Sequence, residues 1–313
     1  MAESAMLQTD RISKALEAFV KTGQDLLQNA KRESKEGSTH DFVTKKIRIE
    51  RRDSLLGLIA VGAKLYKSLS VKKKSEAEKV WKNAYHCAQV RDAVEAFLQL
   101  ETDWDTFLEH LDAELRMSDL TLHRGTQMGQ LSAETPLIDA RTGEAVTLGN
   151  YLRKGERILL VLIRQFACLL CRIHVGELEA NQGMLDAQSV RVLVISFGSQ
   201  EGARYWLQDT DCKYDMLLDP ERKIYSGFGL GASVTKVLSF ENMLLYSEYI
   251  ISNHTFPQAP AFIKDDMFQL GGDFVLDEDG KVIFSHCCKS PVDRPVVSEM
   301  LTSITKGNPT TGS

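Results

Sequence analysis

No proline occurs before Pro136, although the chain runs to 313 residues and holds seven prolines. Proline removes a backbone donor and clashes with the preceding helical turn, so a stretch this long without it is free to form uninterrupted helices. The apolar residues in this stretch repeat at helical spacing. Asp10 stands before Ile12, Leu16, Phe19, Val20, Leu26 and Leu27, which predicts a first helix with Asp10 as its cap. Asn29 to His40 reads as a loop, and a second helix is expected from Asp41 through Leu65. Ser75 with Glu78 has the capping-box spacing and opens a third helix carrying Trp81, Tyr85, Ala88, Val94, Phe97 and Leu98. Thr102 with Asp105 opens a fourth, with Trp104, Phe107, Leu108, Leu111 and Leu115. The expectation is an all-α helical domain over 1–120 and a linker over 121–134.

Charge is uneven within this part. Lys31 to Lys82 holds 15 basic and 7 acidic residues, whereas Asn83 to Leu120 holds 2 basic and 9 acidic. Such complementary runs read as solvated helix faces that attract one another. The whole chain carries a net charge of −5, which offers no footprint for nucleic acid. The longest apolar-rich stretch, Leu55 to Leu65, falls short of the roughly 20 residues a membrane span needs. The first 20 residues have no apolar leader core, and the expected address is the cytoplasm.

Beyond the linker, strand and helix patterns alternate. Ile158 to Ile163 is continuously apolar, and Val190 to Phe197 nearly so. Runs of this kind are strands buried on both faces, as in a parallel or mixed sheet covered by helices. Helices are expected over 172–187, 200–208, 221–228 and 293–304, with a short strand at Asp215 to Leu218. Phe274-Val-Leu and Lys281-Val-Ile-Phe-Ser flank Asp277-Glu-Asp-Gly280, a hairpin signal. Gly231 to Met267 reads as an irregular insertion with one helix near Met243 to Ile250. The second domain is expected over 135–305, with a disordered tail at 306–313.

The chemistry-bearing residues gather at Cys168-Leu169-Leu170-Cys171. The pair follows a buried strand and starts a helix, where unpaired N–H groups and partial positive charge stabilise a thiolate. Arg164 and Arg172 bracket it. In a reducing compartment a Cys-x-x-Cys pair at this junction reads as catalytic rather than structural. Two other readings stay open: inert core packing, or zinc binding with His286, Cys287 and Cys288. Strand alternation puts His286 and Cys288 on one face and Cys287 on the other. Stoichiometric zinc is not expected. Cys212 is a weaker candidate for a resolving thiol, Cys87 reads as packing on the third helix, and His174 as a packing or surface histidine.

Pro136-Leu-Ile-Asp-Ala-Arg-Thr-Gly-Glu-Ala-Val-Thr-Leu-Gly-Asn-Tyr-Leu152 resembles the opening hairpin of peroxiredoxins and the alkyl hydroperoxide reductase/thiol-specific antioxidant group. Arg164-Gln-Phe-Ala-Cys-Leu-Leu-Cys-Arg172 is similar to the peroxiredoxin-like 2 branch, near selenoprotein L. Asp219 to Tyr225 and Gly271 to Gly280 resemble the same branch. The likeness covers about residues 125–305. Gln165 stands where typical peroxiredoxins carry threonine, and Gly271-Gly272 where thioredoxins approach their cis-proline. The resemblance implies a thioredoxin-like α/β domain and thiol-based oxidoreductase activity.

The expected enzyme is therefore a thiol-dependent peroxidase or reductase acting on a hydroperoxide, endoperoxide or disulfide, with Cys168, Cys171 and Arg164 as catalytic residues. Cys168, nearer the helix start, is expected to attack. Cys171, deeper and with the higher pKa, is expected to resolve. A thiol reductant such as thioredoxin or glutathione would restore the pair, and no bound cofactor or metal is required. The alternative is a redox-inactive scaffold whose helical domain engages a partner.

Overall fold

The computed structural model describes residues 2–47, 53–118 and 128–305. The chain divides into two compact units, Met1–Leu122 with Val234–Thr255, and His123–Ser233 with Phe256–Ser313.

The first unit is helical, built on Ala2–Glu33, Gly57–Leu69, Lys74–Asn83 and Ala88–Ser118. The first helix starts well before Asp10 and continues through the expected loop as far as Glu33. The expected second helix is broken: Thr39–Asp41 passes into a π-turn over Phe42–Lys46, and the regular helix begins only at Gly57. The expected third helix ends at Asn83, and Cys87 lies in the turn that follows it. The Ala88–Ser118 helix then runs for 31 residues straight through Thr102. The Thr102 hydroxyl donates to the Leu98 carbonyl at 3.1 Å, so it back-bonds within the helix instead of capping a new one.

The insertion supplies this unit with two more helices, Val234–Leu238 and Phe240–Ile251. The 135–305 boundary put them in the sheet domain, but their bonds are with the helical unit. Phe240 packs at 5.3–6.4 Å from the rings of Phe19, Phe97 and Trp104. Asp112 accepts from the Val234 N–H at 2.8 Å, and Trp104 Nε1 donates to the Leu238 carbonyl at 2.9 Å. The apolar faces of the long helices are thus closed by a segment more than a hundred residues away.

The second unit is a seven-stranded mixed sheet of thioredoxin-like kind. Its strands are β1 (Pro136–Asp139), β2 (Ala145–Thr147), β3 (Arg157–Leu162), β4 (Val190–Ser196), β5 (Asp215–Leu218), β6 (Gly272–Leu276) and β7 (Val282–Cys287), in the order β2-β1-β5-β4-β3-β6-β7. β3, β4 and β5 are parallel neighbours, and the other pairings are antiparallel. Residues 158 to 162 of β3 are all buried, which explains the continuous apolar run: both faces are covered. Ile158, Leu160 and Leu162 join one core with Leu193, Ile195, Leu217 and Phe274, over which Phe228 stacks at 3.6 Å. Asp277–Gly280 turns between β6 and β7, with Gly280 at φ +82°. Residues 128–134, read as linker, bond to this unit: Met128 N–H donates to Gly227, and Leu131 is buried in the core. The tail over 306–313 and the linker residues 121–127 lie outside the described residues. Among the described residues no helix is long and apolar enough to cross a membrane.

Candidate active site

β3 ends at Leu162, and the helix Leu169–Ala180 begins seven residues later. Cys168 is its N-cap: the Cys171 N–H donates to Cys168 Sγ at 3.2 Å. The Arg164 N–H donates to Cys171 Sγ at 3.4 Å, and Arg164 Nη1 lies 3.8 Å from Cys168 Sγ. The two thiols lie close enough to influence each other's ionisation. All three residues singled out from sequence therefore meet in one place. Both sulfurs are buried, Cys168 at 4% exposure and Cys171 at 1%. Arg172 is engaged elsewhere, with the Phe166 carbonyl and Asp209.

A second layer escaped the sequence reading. Arg294 Nη2 reaches to 3.8 Å from Cys171 Sγ and also donates to the Leu162 carbonyl at 2.9 Å. Arg294 Nη1 donates to Asp273 Oδ2 at 2.8 Å, and His174 Nε2 bonds Asp273 Oδ1 at the same distance. Asp273 is fully buried on β6, and His174 is buried rather than at the surface. The available signal was Asp273 itself, one charge at the start of the buried strand sequence Gly272-Asp-Phe-Val-Leu276. A carboxylate in such a place needs partners. Tyr225 completes the floor, its hydroxyl donating toward the carbonyls of Ile163 and Ile195 at 2.7 and 3.0 Å.

These contacts set the charge state of the pair. Burial would raise the Cys171 thiol, but the Cys168 hydrogen bond, the Arg294 and Arg164 guanidinium charges and the Arg164 N–H outweigh it. Cys171 is held well below the ordinary thiol value. Burial and the neighbouring Cys171 sulfur push Cys168 well above it, and Arg164 offsets this only in part. Two coupled thiols share one easily lost proton. The contacts favour the anion on the sulfur that faces both Arg294 and the Arg164 N–H. This reverses the sequence expectation that the deeper sulfur has the higher pKa. Helix-start electrostatics favour Cys168, but the bond from Cys168 and then the charges of Arg294 and Arg164 act on Cys171.

Burial, opposed by the charges of His174 and Arg294 and their hydrogen bonds, leaves Asp273 well below the usual carboxylate range. The remaining cysteines are different. Cys212 is buried and raised to about 11, and burial lifts Cys288 to about 12. Cys287 Sγ points to the Phe228 carbonyl at 3.4 Å, whereas His286 Nε2 meets Asp293 at 3.1 Å, as strand alternation requires. Among the described residues, no three or more His, Cys, Asp or Glu side chains group together to hold a metal ion.

The mixed sheet is thioredoxin-like in fold and carries a buried thiol pair at a strand-to-helix junction. Residues 177–290 match the family described as AhpC/TSA antioxidant enzyme. The chain is similar to Peroxiredoxin-like 2C of Mus musculus, at 26% identity over 57% of this chain and 80% of that protein. It is also similar to Prostamide/prostaglandin F synthase of Danio rerio, at 24% identity over 52% and 81%. Among solved structures, Xanthomonas campestris Peroxiredoxin Q is 11% identical with a TM-score of 0.38, covering 57% of this chain and 93% of that one. Enterococcus faecalis AhpC is 13% identical with a TM-score of 0.40, covering 58% and 90%. The family match begins after Cys171, so the roles of Arg164 and the two cysteines rest on their geometry.

Proposed function

We propose that this protein is a thiol peroxidase in which Cys168 and Cys171 cycle between dithiol and disulfide. The observation that carries this reading is the placement of Cys171 Sγ against the Arg164 N–H and Arg294, with Cys168 Sγ held by the Cys171 N–H beside it. A thiolate is the nucleophile, so Cys171 is assigned the first attack. Its sulfur bonds to one oxygen of a hydroperoxide, the O–O bond breaks, and the departing alkoxide takes a proton to leave as an alcohol. Arg164 and Arg294 stabilise the negative charge that moves to that oxygen. The Cys168 thiol then attacks the sulfenic acid, releasing water and closing the disulfide. An external dithiol, or two molecules of a monothiol such as glutathione, reduces the pair by exchange. Burial of both sulfurs favours a small oxidant, because a protein disulfide would require a larger opening.

Trapping tests this order. After one equivalent of hydroperoxide, Cys168→Ser should hold a sulfenic acid on Cys171, detectable by mass spectrometry, while Cys171→Ser should not react. The opposite pattern gives Cys168 the first attack. Wild-type protein with two slow thiols and no turnover under thioredoxin or glutathione would leave the redox-inactive scaffold reading.

A further inference from the structure

Asp273 lies outside the chemistry described so far, yet it is a fully buried carboxylate near the pair. Both of its oxygens are used: His174 Nε2 bonds one and Arg294 Nη1 the other, each at 2.8 Å. It accepts only, so the His174 ring presents Nε2–H to it. His174 stands one turn after Cys171 on the same helix, whereas Asp273 belongs to β6. The Asp273–His174 bond therefore ties the helix that carries the sulfur to the strand that carries the carboxylate.

The other oxygen acts on Arg294. A guanidinium is a planar, rigid fork, so fixing one arm aims the other. With Nη1 held by Asp273 and by the Gly272 carbonyl at 3.2 Å, Nη2 is directed at the Leu162 carbonyl and Cys171 Sγ. Without the carboxylate, only the Gly272 and Leu162 carbonyls and the sulfur itself would hold the cation. We propose that Asp273 is a positioning residue for the sulfur pair: through Arg294 it keeps a positive charge beside Cys171. The proposal rests on the reading of Cys168 and Cys171 as the redox centre and adds a group that touches neither sulfur.

The charged and titratable groups around Cys171 are Cys168, Arg164 and His174 on its own segment and helix, Tyr225, Cys288, and Arg294 with its partner Asp273. Asp273→Asn keeps shape and removes the charge that orients Arg294. The experiment is the pH profile of iodoacetamide alkylation of the full chain, with labelled cysteines located by mass spectrometry. Wild type should label Cys171 with a midpoint well below that of an ordinary thiol. Asp273→Asn should move that midpoint up by about one pH unit, making labelling below it roughly tenfold slower. Cys87, which is half-buried in a turn of the helical unit, serves as the unaffected reference. A wild-type Cys171 that labels only at ordinary thiol pH defeats the functional reading itself. An acidic wild-type Cys171 whose profile is unchanged in folded Asp273→Asn overturns the inference alone. If circular dichroism shows Asp273→Asn unfolded, Arg294→Lys carries the test. A lysine keeps the ion pair with Asp273 but cannot fork to the sulfur, so the same upward move is expected, and a wild-type profile refutes the proposal.

Discussion

The Phe166 N–H donates to the buried carboxylate of Asp265 over 3.0 Å. Two residues further along, the Met267 carbonyl accepts from Arg164 Nη2 at 2.6 Å, and the Gln269 carbonyl from Arg164 Nε at 3.1 Å. The 265–269 segment is thus strapped to the loop that leads into Cys168. A buried sulfur reacts only when its cover opens, and the energy of opening includes these bonds. A hydrogen bond to a charged group contributes about 1.5–3 kcal/mol. Asp265→Ala should loosen the strap and speed alkylation of Cys171 by up to about 30-fold, the equivalent of about 2 kcal/mol. Equal rates in mutant and wild type would mean that oxidants reach the pair by another route.

The acidic Cys171 also predicts how stability changes with pH. A group whose folded pKa is depressed stabilises fully above its unfolded value and loses that contribution as pH falls toward its folded value. For Cys171 the unfolded value is that of an ordinary thiol, about 8.5. The gap in melting temperature between wild type and Cys171→Ser should therefore widen as pH rises from 6 to 9 and then level off. Cys168, raised in the fold, acts in the opposite sense: its contribution is full below about 8.5 and is lost at more alkaline pH. A gap that narrows between pH 6 and 9 would show the charge residing on Cys168.

Much of the sheet unit could be read directly from the chain. β5 spans Asp215–Leu218 as expected, and the Asp277–Gly280 turn joins two strands, because local apolar runs and turn residues specify them. Cys168, Cys171 and Arg164 were likewise legible because a strand, a loop and a helix start lie within ten residues. Arg294 and Asp273 were not, since their role comes from strand pairing of β3 with β6 and from a loop more than a hundred residues beyond Cys171. Two helix ends were misread for a local reason: Asp10 and Thr102 look like caps, but both lie inside long helices, where Asp10 accepts from Lys14 Nζ and Thr102 bonds back to Leu98. The membership of Val234–Thr255 in the helical unit is invisible to any short window of sequence.

That membership bears on stability. Phe240 is fully buried, with three aromatic neighbours from the first 122 residues. Phe240→Ala should destabilise the helical unit by about 3–5 kcal/mol, measured by urea unfolding. For the same reason a fragment starting at Gln127 should be poorly soluble, because Phe240, Met243 and Leu244 lose their cover. Adding residues 1–122 as a separate chain should restore solubility. A soluble, monomeric fragment on its own would mean that the insertion folds independently of those helices.

Gly271 is the point where backbone, arginine and sulfur come together. A Cβ placed there would run into the Leu162 carbonyl and stand 2.6 Å from Arg294 Nη2. Relieving both contacts takes a shift of the backbone at Gly271 against the paired Leu162 carbonyl and a move of the Arg294 side chain. Its fork then loses the Leu162 carbonyl and the approach to Cys171 together. Gly271→Ala should therefore do two separable things. Overpacking beside a sheet costs typically 1–3 kcal/mol, which urea unfolding reads. Displacing Arg294 should also raise the pH at which Cys171 is alkylated, in the direction expected for Asp273→Asn, and slow peroxide turnover at neutral pH. A destabilised Gly271→Ala protein whose Cys171 profile matches wild type would show that Arg294 can shift without affecting the sulfur. The low pKa of Cys171 would then be carried by the Arg164 N–H and the bond from Cys168.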